Sequence, residues 1–440
     1  MKLKLKLMFV ALCMFLVSVS AYAFDGEDTY LVTFRDTAKL YGLSPNTERN
    51  YIVASSEDLS EYLDAGIVAE YEPNHKVELF GEWNLDLVNS DFASELGCLG
   101  NDVKVGVIDS GLYPFQELDD NVISGKNYID NNYDTSDNIG HGTFVTGIIA
   151  SESRGIAHRC KIIPLKCFDE GKDTYVDVLL NAIYDAVDVY DCDVINMSLG
   201  VDSYSFNLNR AVTYATNKGV IVVAAVGNDG NTVVNYPAGY STVVGVGSVN
   251  EAKEKSWFSQ YNSSVFVSAP GEDIISLYPG GLAKGSGTSF AAPHVTALAA
   301  VAKCIDNKIN TTKFMNTLSA TSEDLGTAGY DHNFGYGLVD FEKFILKQIE
   351  GREIFISPLY RENNKFRGII YNNSEKKLNL MLTGASYNGD KFAGLDSETI
   401  TLEKAQKHSI ESKALGSLFK FMVWENSVDM RPLTEVITQE

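Results

Sequence analysis

Four apolar runs punctuate the middle of the chain, at 103–108, 161–166, 194–199 and 220–225. Strands with one wet face alternate apolar and polar positions. Runs that are apolar nearly throughout bury both faces, as strands of parallel sheets do. Between the second and third runs, Tyr175, Val178, Leu179, Ala182, Ile183, Ala186 and Val187 recur at helical spacing and mark one core-facing stripe. A second helix is read over 290–301. Strands alternating with helices predict an α/β fold over 83–350, a mainly parallel sheet covered by helices on both faces.

The pattern changes on either side. Residues 24–82 hold an apolar strand, TYLVTF, and then a strand–helix–strand pattern. This predicts a small α+β unit whose size is marginal for independent stability. Residues 351–440 show short alternating runs at 353–356, 367–371, 378–382 and 418–424, with a turn signal at Asn388-Gly389. They predict an all-β, sandwich-like domain. The first 23 residues read as a secretory signal: three lysines, an apolar run from Leu7 and a small-residue end at Ala21-Tyr22-Ala23. That run is short for a membrane span, so export without stable membrane insertion is expected.

Composition narrows the partners. At 440 residues with 45% hydrophobic content, the chain is long enough for several packed domains. A formal net charge of −22 argues against nucleic acid and anionic membrane surfaces. With Cys13 in the signal, five cysteines remain, at 98, 160, 167, 192 and 304, without a metal-type spacing. One disulfide and buried free thiols are both open readings.

Candidate chemistry sits in short segments: VIDSG at 107–111, HGTFVTG at 141–147, VVAAVGNDG at 222–230 and GTSFAAPHV at 287–295. A serine hydroxyl needs a neighbouring base to become a nucleophile. His141 is a candidate base, because imidazole titrates near neutral pH. Asp109 would orient the imidazole, and Ser289 would attack a carbonyl. The Ser289 N–H and the Asn228 side-chain amide are natural donors to the resulting oxyanion. Singly, Asp109 and Ser289 could be helix caps and His141 a loop residue; together they describe a serine hydrolase. His294 and His158 match no such role and are expected to be structural.

With these flanks, the order Asp…His…Ser resembles the subtilisin family of serine proteases, as VIDSGLYP, GHGTFVTGIIA, NMSLG, VVAAVGNDG, SAPG and GTSFAAPHV show. The resemblance runs from about Trp83 to about Phe344. It implies a triad of Asp109, His141 and Ser289, with Asn228 as oxyanion donor. It further implies that Ser198, Leu199 and Gly200 pair with substrate backbone. Ala224, Ala225, Val226 and Gly227 would line the primary pocket with them; no acidic residue there demands a basic side chain. The segment closing the pocket, at 235–240, is too divergent to place. Residues 24–82 resemble the pro-segment of subtilisin-type zymogens, an intramolecular inhibitor that is later removed; an ordinary small domain is the alternative.

The implied activity is that of a secreted serine endopeptidase made as an autoprocessed precursor, acting on proteins or peptides, with cell-surface association an open addition. A protease restricted to one maturation target and a silent pseudoprotease binding module are the rival readings. No cofactor is required. Calcium commonly stabilises the family, but the loop of its strongest site is missing after the histidine helix. Asp130, Asp134 and Asp137 could bind structural calcium elsewhere, but read as solvated loop carboxylates. Phe144 stands where a second histidine often occurs.

Overall fold

The computed structural model describes residues 29–34, 52–73, 82–362, 365–412, 417–425, 432–434 and 436–439. The signal segment lies outside them. Two compact units divide at Gly81/Glu82. In the first, β1 (Thr29–Phe34) lies between β2 (Ile52–Ser55) and β3 (Val68–Pro73), antiparallel to both. The helix Ser56–Asp64 starts where Ser55 accepts the Asp58 N–H, and Leu59 packs with Val32, Ala54, Ile67 and Val68. The expected strand, then strand–helix–strand, is what forms.

The second unit is built on a seven-stranded sheet. Its strands in chain order are β4 (Lys104–Asp109), β5 (Lys126–Asn127), β6 (Lys161–Lys166), β7 (Val194–Met197), β8 (Ile221–Ala225), β9 (Val244–Val249) and β10 (Val267–Pro270). The spatial order is β10-β9-β8-β7-β4-β6-β5, and every pairing is parallel. Strand β8 shows why the runs are apolar throughout. Ile221, Val223 and Ala225 enter the core under the helices His141–Ala150 and Thr288–Ile305. Val222 and Ala224 enter the opposite core, under Val176–Asp188 and Phe206–Asn217.

Two details differ from the sequence reading. Tyr175 leaves the predicted stripe: it is the extended residue before the helix Val176–Asp188 and is 66% exposed. The helix Thr288–Ile305 is long and apolar enough to cross a bilayer by length and composition, yet it is the buried central helix of the sheet's first face.

A hairpin, β11 (Ile274–Tyr278) and β12 (Gly281–Gly285), precedes the serine helix. After the helix Phe341–Gln348 the chain turns to antiparallel β-structure. One sheet holds β13 (Ile354–Ile356), β14 (Tyr360–Glu362), β15 (Lys365–Asn372) and β18 (Lys407–Glu411); the other holds β16 (Leu378–Asn388), β17 (Lys391–Leu402), β19 (Leu418–Trp424) and β20 (Ile437–Gln439). The two sheets share one core, with the rings of Phe366 and Phe419 stacked at 5.4 Å. The hairpin turn falls one residue later than Asn388-Gly389: Asn388 pairs with Lys391, leaving Gly389 (φ +58°) and Asp390 in the loop. Phe355 and Tyr371 of the sandwich belong to the core of the parallel sheet, and Lys407 pairs with Glu95.

Candidate active site

Asp109 ends β4, at the carboxyl edge where open α/β sheets gather ligands. Its carboxylate is buried and accepts the Ser110 N–H at 2.7 Å. His141 is the first residue of its helix, and its Nδ1 lies 2.7 Å from Asp109 Oδ1. Because a carboxylate only accepts, Nδ1 carries the proton and Nε2 keeps a lone pair. This close approach requires glycine at 142, since a Cβ there would fall 2.3 Å from the Gly111 carbonyl oxygen. Burial acts to lower the His141 pKa, but the Asp109 charge and hydrogen bond, with Asp137 beyond, hold it above the ordinary imidazole value. Asp109 Oδ2 has no hydrogen-bond partner among the described residues, so His141 is the main compensation for this buried charge.

Ser289 is the second residue of the central helix, where backbone N–H groups have no intrahelical acceptor. Its hydroxyl donates to the Ser198 carbonyl at 3.2 Å, and the Ser198 hydroxyl donates to the Ser289 carbonyl at 2.7 Å. The next residue, Phe290, sets its ring 5.6 Å from the His141 ring. Asn228 is fixed by its oxygen, which accepts the Thr288 N–H and hydroxyl, both at 2.8 Å. The amide nitrogen is thereby left on the side away from Thr288. A Cβ on Gly287 would lie 3.4 Å from Asn228 Nδ2 and 3.7 Å from the Ser289 nitrogen, so the two donors border one small space. Glycine at 287 keeps that space open.

Among the proposed substrate contacts, Leu199 is half-buried and Gly200 exposed, at the end of β7. Ala224 and Val226 point into one core and Ala225 into the other, while Gly227 keeps some exposure. The segment 235–240 is now placed. Val201 and Tyr236 exchange two backbone hydrogen bonds of 2.8 Å, and Asn235 Nδ2 donates to the Val226 carbonyl at 3.1 Å over Gly227. Tyr204, Tyr236 and Tyr240 cluster beside it.

Several supporting residues escaped the sequence reading. Asp137 is buried rather than solvated. It accepts the N–H groups of Ile139, Gly140 and Thr143 and the Thr143 hydroxyl, and so satisfies a first-turn donor of the histidine helix from three residues before its N-cap, Gly140. Burial pushes its pKa up, but the bonds from Thr143 and Gly140 outweigh that and hold it below the usual range. A D-x-x-G-H spacing ahead of an apolar helix is the signal that could have found it. Asn196 bridges Thr296 on the serine helix to the Ser198 hydroxyl, at 2.8 and 3.0 Å. Phe144, in the place of a histidine, packs on Phe290 at 4.1 Å.

The remaining polar groups have their own partners. His294 is fully buried, with Nδ1 donating to the Phe290 carbonyl and Nε2 facing the Asn84 amide, each at 2.9 Å. His158 is half-buried and its pKa is lowered, mainly by burial. All five described cysteines are free, and burial pushes the thiols of Cys160, Cys192 and Cys304 up to about 12. Asp130 pairs with Lys172, Asp134 accepts the Ser136 N–H and Asp137 accepts four hydrogen bonds. No group of three or more His, Cys, Asp or Glu among the described residues could hold a metal.

Comparison with known proteins places this architecture. The subtilase family model matches residues 100–337, more than half of the chain. The minor extracellular protease Epr of Bacillus subtilis (strain 168) is 38% identical over 270 residues, 60% of this chain but only 41% of its own length. The thermophilic serine proteinase of Bacillus sp. (strain AK1) is 33% identical over 306 residues, 67% of this chain and 75% of its own. A solved protease structure from Pseudoalteromonas arctica PAMC 21717 aligns with a TM-score of 0.54 at 25% identity, covering 59% of this chain and 94% of that one. The chain belongs to the subtilase family of serine peptidases, with a subtilisin-like fold.

Proposed function

We propose that the protein is a secreted serine endopeptidase that hydrolyses peptide bonds through Asp109, His141 and Ser289, and that it is made as a precursor which removes its own N-terminal segment. The observation that carries this reading is the buried carboxylate–imidazole pair at 2.7 Å, which the ring of Phe290, next to Ser289, approaches at 5.6 Å, with Ser289 N–H and Asn228 Nδ2 bordering one space beside Gly287. Substrate would add as a strand beside 198–200, held by main-chain hydrogen bonds, with an apolar or aromatic side chain in the pocket near Gly227.

The chemistry follows from the atoms. The Ser289 hydroxyl, which donates to the Ser198 carbonyl in the free enzyme, turns toward His141 Nε2 when substrate binds; such contacts commonly tighten only in the complex. His141 takes the proton as Oγ attacks the carbonyl carbon, and Asp109 stabilises the imidazolium. The oxyanion receives hydrogen bonds from the Ser289 and Asn228 donors, which cost no reorganisation at that moment. His141 then protonates the leaving amine, and water releases the acyl group by the reverse proton path. Export by the first 23 residues and extracellular action accord with the relatives' names. Inhibition by residues 24–82 before their removal completes the reading.

Expression without residues 1–23, beside Ser289→Ala, tests it by intact mass. The parent is expected to lose its N-terminal sixty or so residues and to react covalently with an active-site serine reagent, and the variant to do neither. Equal masses for the two, together with an unlabelled parent, would overturn the proposal.

A further inference from the structure

Lys166 ends β6 with its side chain 2% exposed. An ammonium has three donors and is costly to bury unless all are used. Here they are: Nζ donates to the Ser110 carbonyl at 2.9 Å, the Ser136 carbonyl at 2.8 Å and Asp169 Oδ1 at 3.2 Å. The two carbonyls belong to different loops. Ser110 follows Asp109 directly, and its hydroxyl accepts the Gly142 N–H at 2.8 Å. Ser136 precedes Asp137, which accepts the Thr143 N–H in the first turn of the histidine helix. The same loops meet again where Leu112 donates to the Thr135 carbonyl. A single buried cation therefore ties the strand end bearing the carboxylate to the loop that launches the imidazole. Asp169 balances its charge and is itself held by Asn138 and, at the surface, by Lys172.

We propose that Lys166 is a positioning residue for the Asp109–His141 pair: its ammonium sets the spacing of the two loops that carry them. This rests on the reading of Asp109 and His141 as the orienting acid and base. An apolar side chain of the same length would fill the volume but leave the buried Ser110 carbonyl without its donor and untie the Ser136 carbonyl of the exposed loop, so the loops would settle apart. Substrate contacts lie on other segments, 198–200 and 227–228, and are untouched. The loss should therefore fall on turnover, not on binding.

The test compares the full secreted chain with Lys166→Met, Asp169→Asn and Lys172→Met, using a peptide substrate and concentrations normalised by active-site titration. Lys166→Met is expected to lower kcat by about 10- to 100-fold, the range for a misplacement near 1 Å, with KM within about twofold of the parent. Asp169→Asn keeps the ammonium and both carbonyl bonds, and should lose about threefold in kcat. Lys172→Met, which removes only the exposed partner of Asp169, should leave kcat and KM unchanged. An active parent, a dead Ser289→Ala and an unchanged kcat in folded Lys166→Met would overturn the positioning role alone. If Lys166→Met does not fold, an unchanged kcat in Asp169→Asn does the same. An inactive parent would overturn instead the assignment on which it rests.

Discussion

Two histidines lie on either side of Phe290, and their surroundings make them different chemical groups. At the sheet edge, the His141 side chain is 32% exposed and bonded to a carboxylate, which holds its pKa above the ordinary value. Inside the serine helix, His294 is hydrogen-bonded to neutral groups, the Phe290 carbonyl and the Asn84 amide. Burial lowers its pKa to about 4. One is held more basic than an ordinary imidazole; the other is a neutral peg. The comparison teaches that a nearby fixed charge, rather than burial alone, decides which histidine can work as a base.

The largest way to break the contrast is to remove the charge at the sheet edge. Asp109→Asn leaves a hydrogen-bonding side chain of the same shape but favours the wrong imidazole tautomer. Turnover should fall by about 10⁴-fold, as in other triads. The residual activity should also persist to lower pH, because the influence that raised the His141 pKa is gone. Steady-state kcat/KM measured across the acid range checks both; an acid limb that stays in place would show that Asp109 does not set the His141 pKa.

His294 yields a smaller effect, of opposite sign and on stability rather than activity. Its folded pKa of about 4 lies below the ordinary imidazole value of 6.5. Between those values the unfolded chain binds the proton first, so stability drops as pH falls from 6.5 toward 4 and this group takes no more below that. The full span is on the order of 3 kcal/mol. Denaturant melts of Ser289→Ala, which avoids self-digestion, should show this loss, and His294→Gln in the same background should flatten it. Parallel pH curves for the two would remove His294 from the account.

The finest test converts one environment into the other. Asn84→Asp places a carboxylate beside His294 Nε2, and its titration, followed by NMR, should rise from about 4 to above the usual imidazole range. A titration that stays near 4 would mean that burial outweighs a contact charge at this depth.

The fold class was legible in the sequence because both faces of the parallel sheet are covered. Val222 and Val223 point to opposite cores, and each must be apolar whatever the rest of the chain does. Motifs brought Asp109, His141, Asn228 and Ser289 to attention because glycines beside them reported close backbone approach. The surroundings of those residues were not legible. Asp137 looked like a solvated loop carboxylate until four hydrogen bonds buried it, and nothing in the apolar run 161–166 singled out Lys166. A side chain's identity lists what bonds it can make, but its partners come from loops distant in the chain. Only the folded packing selects among them, and with them the charge state of each histidine.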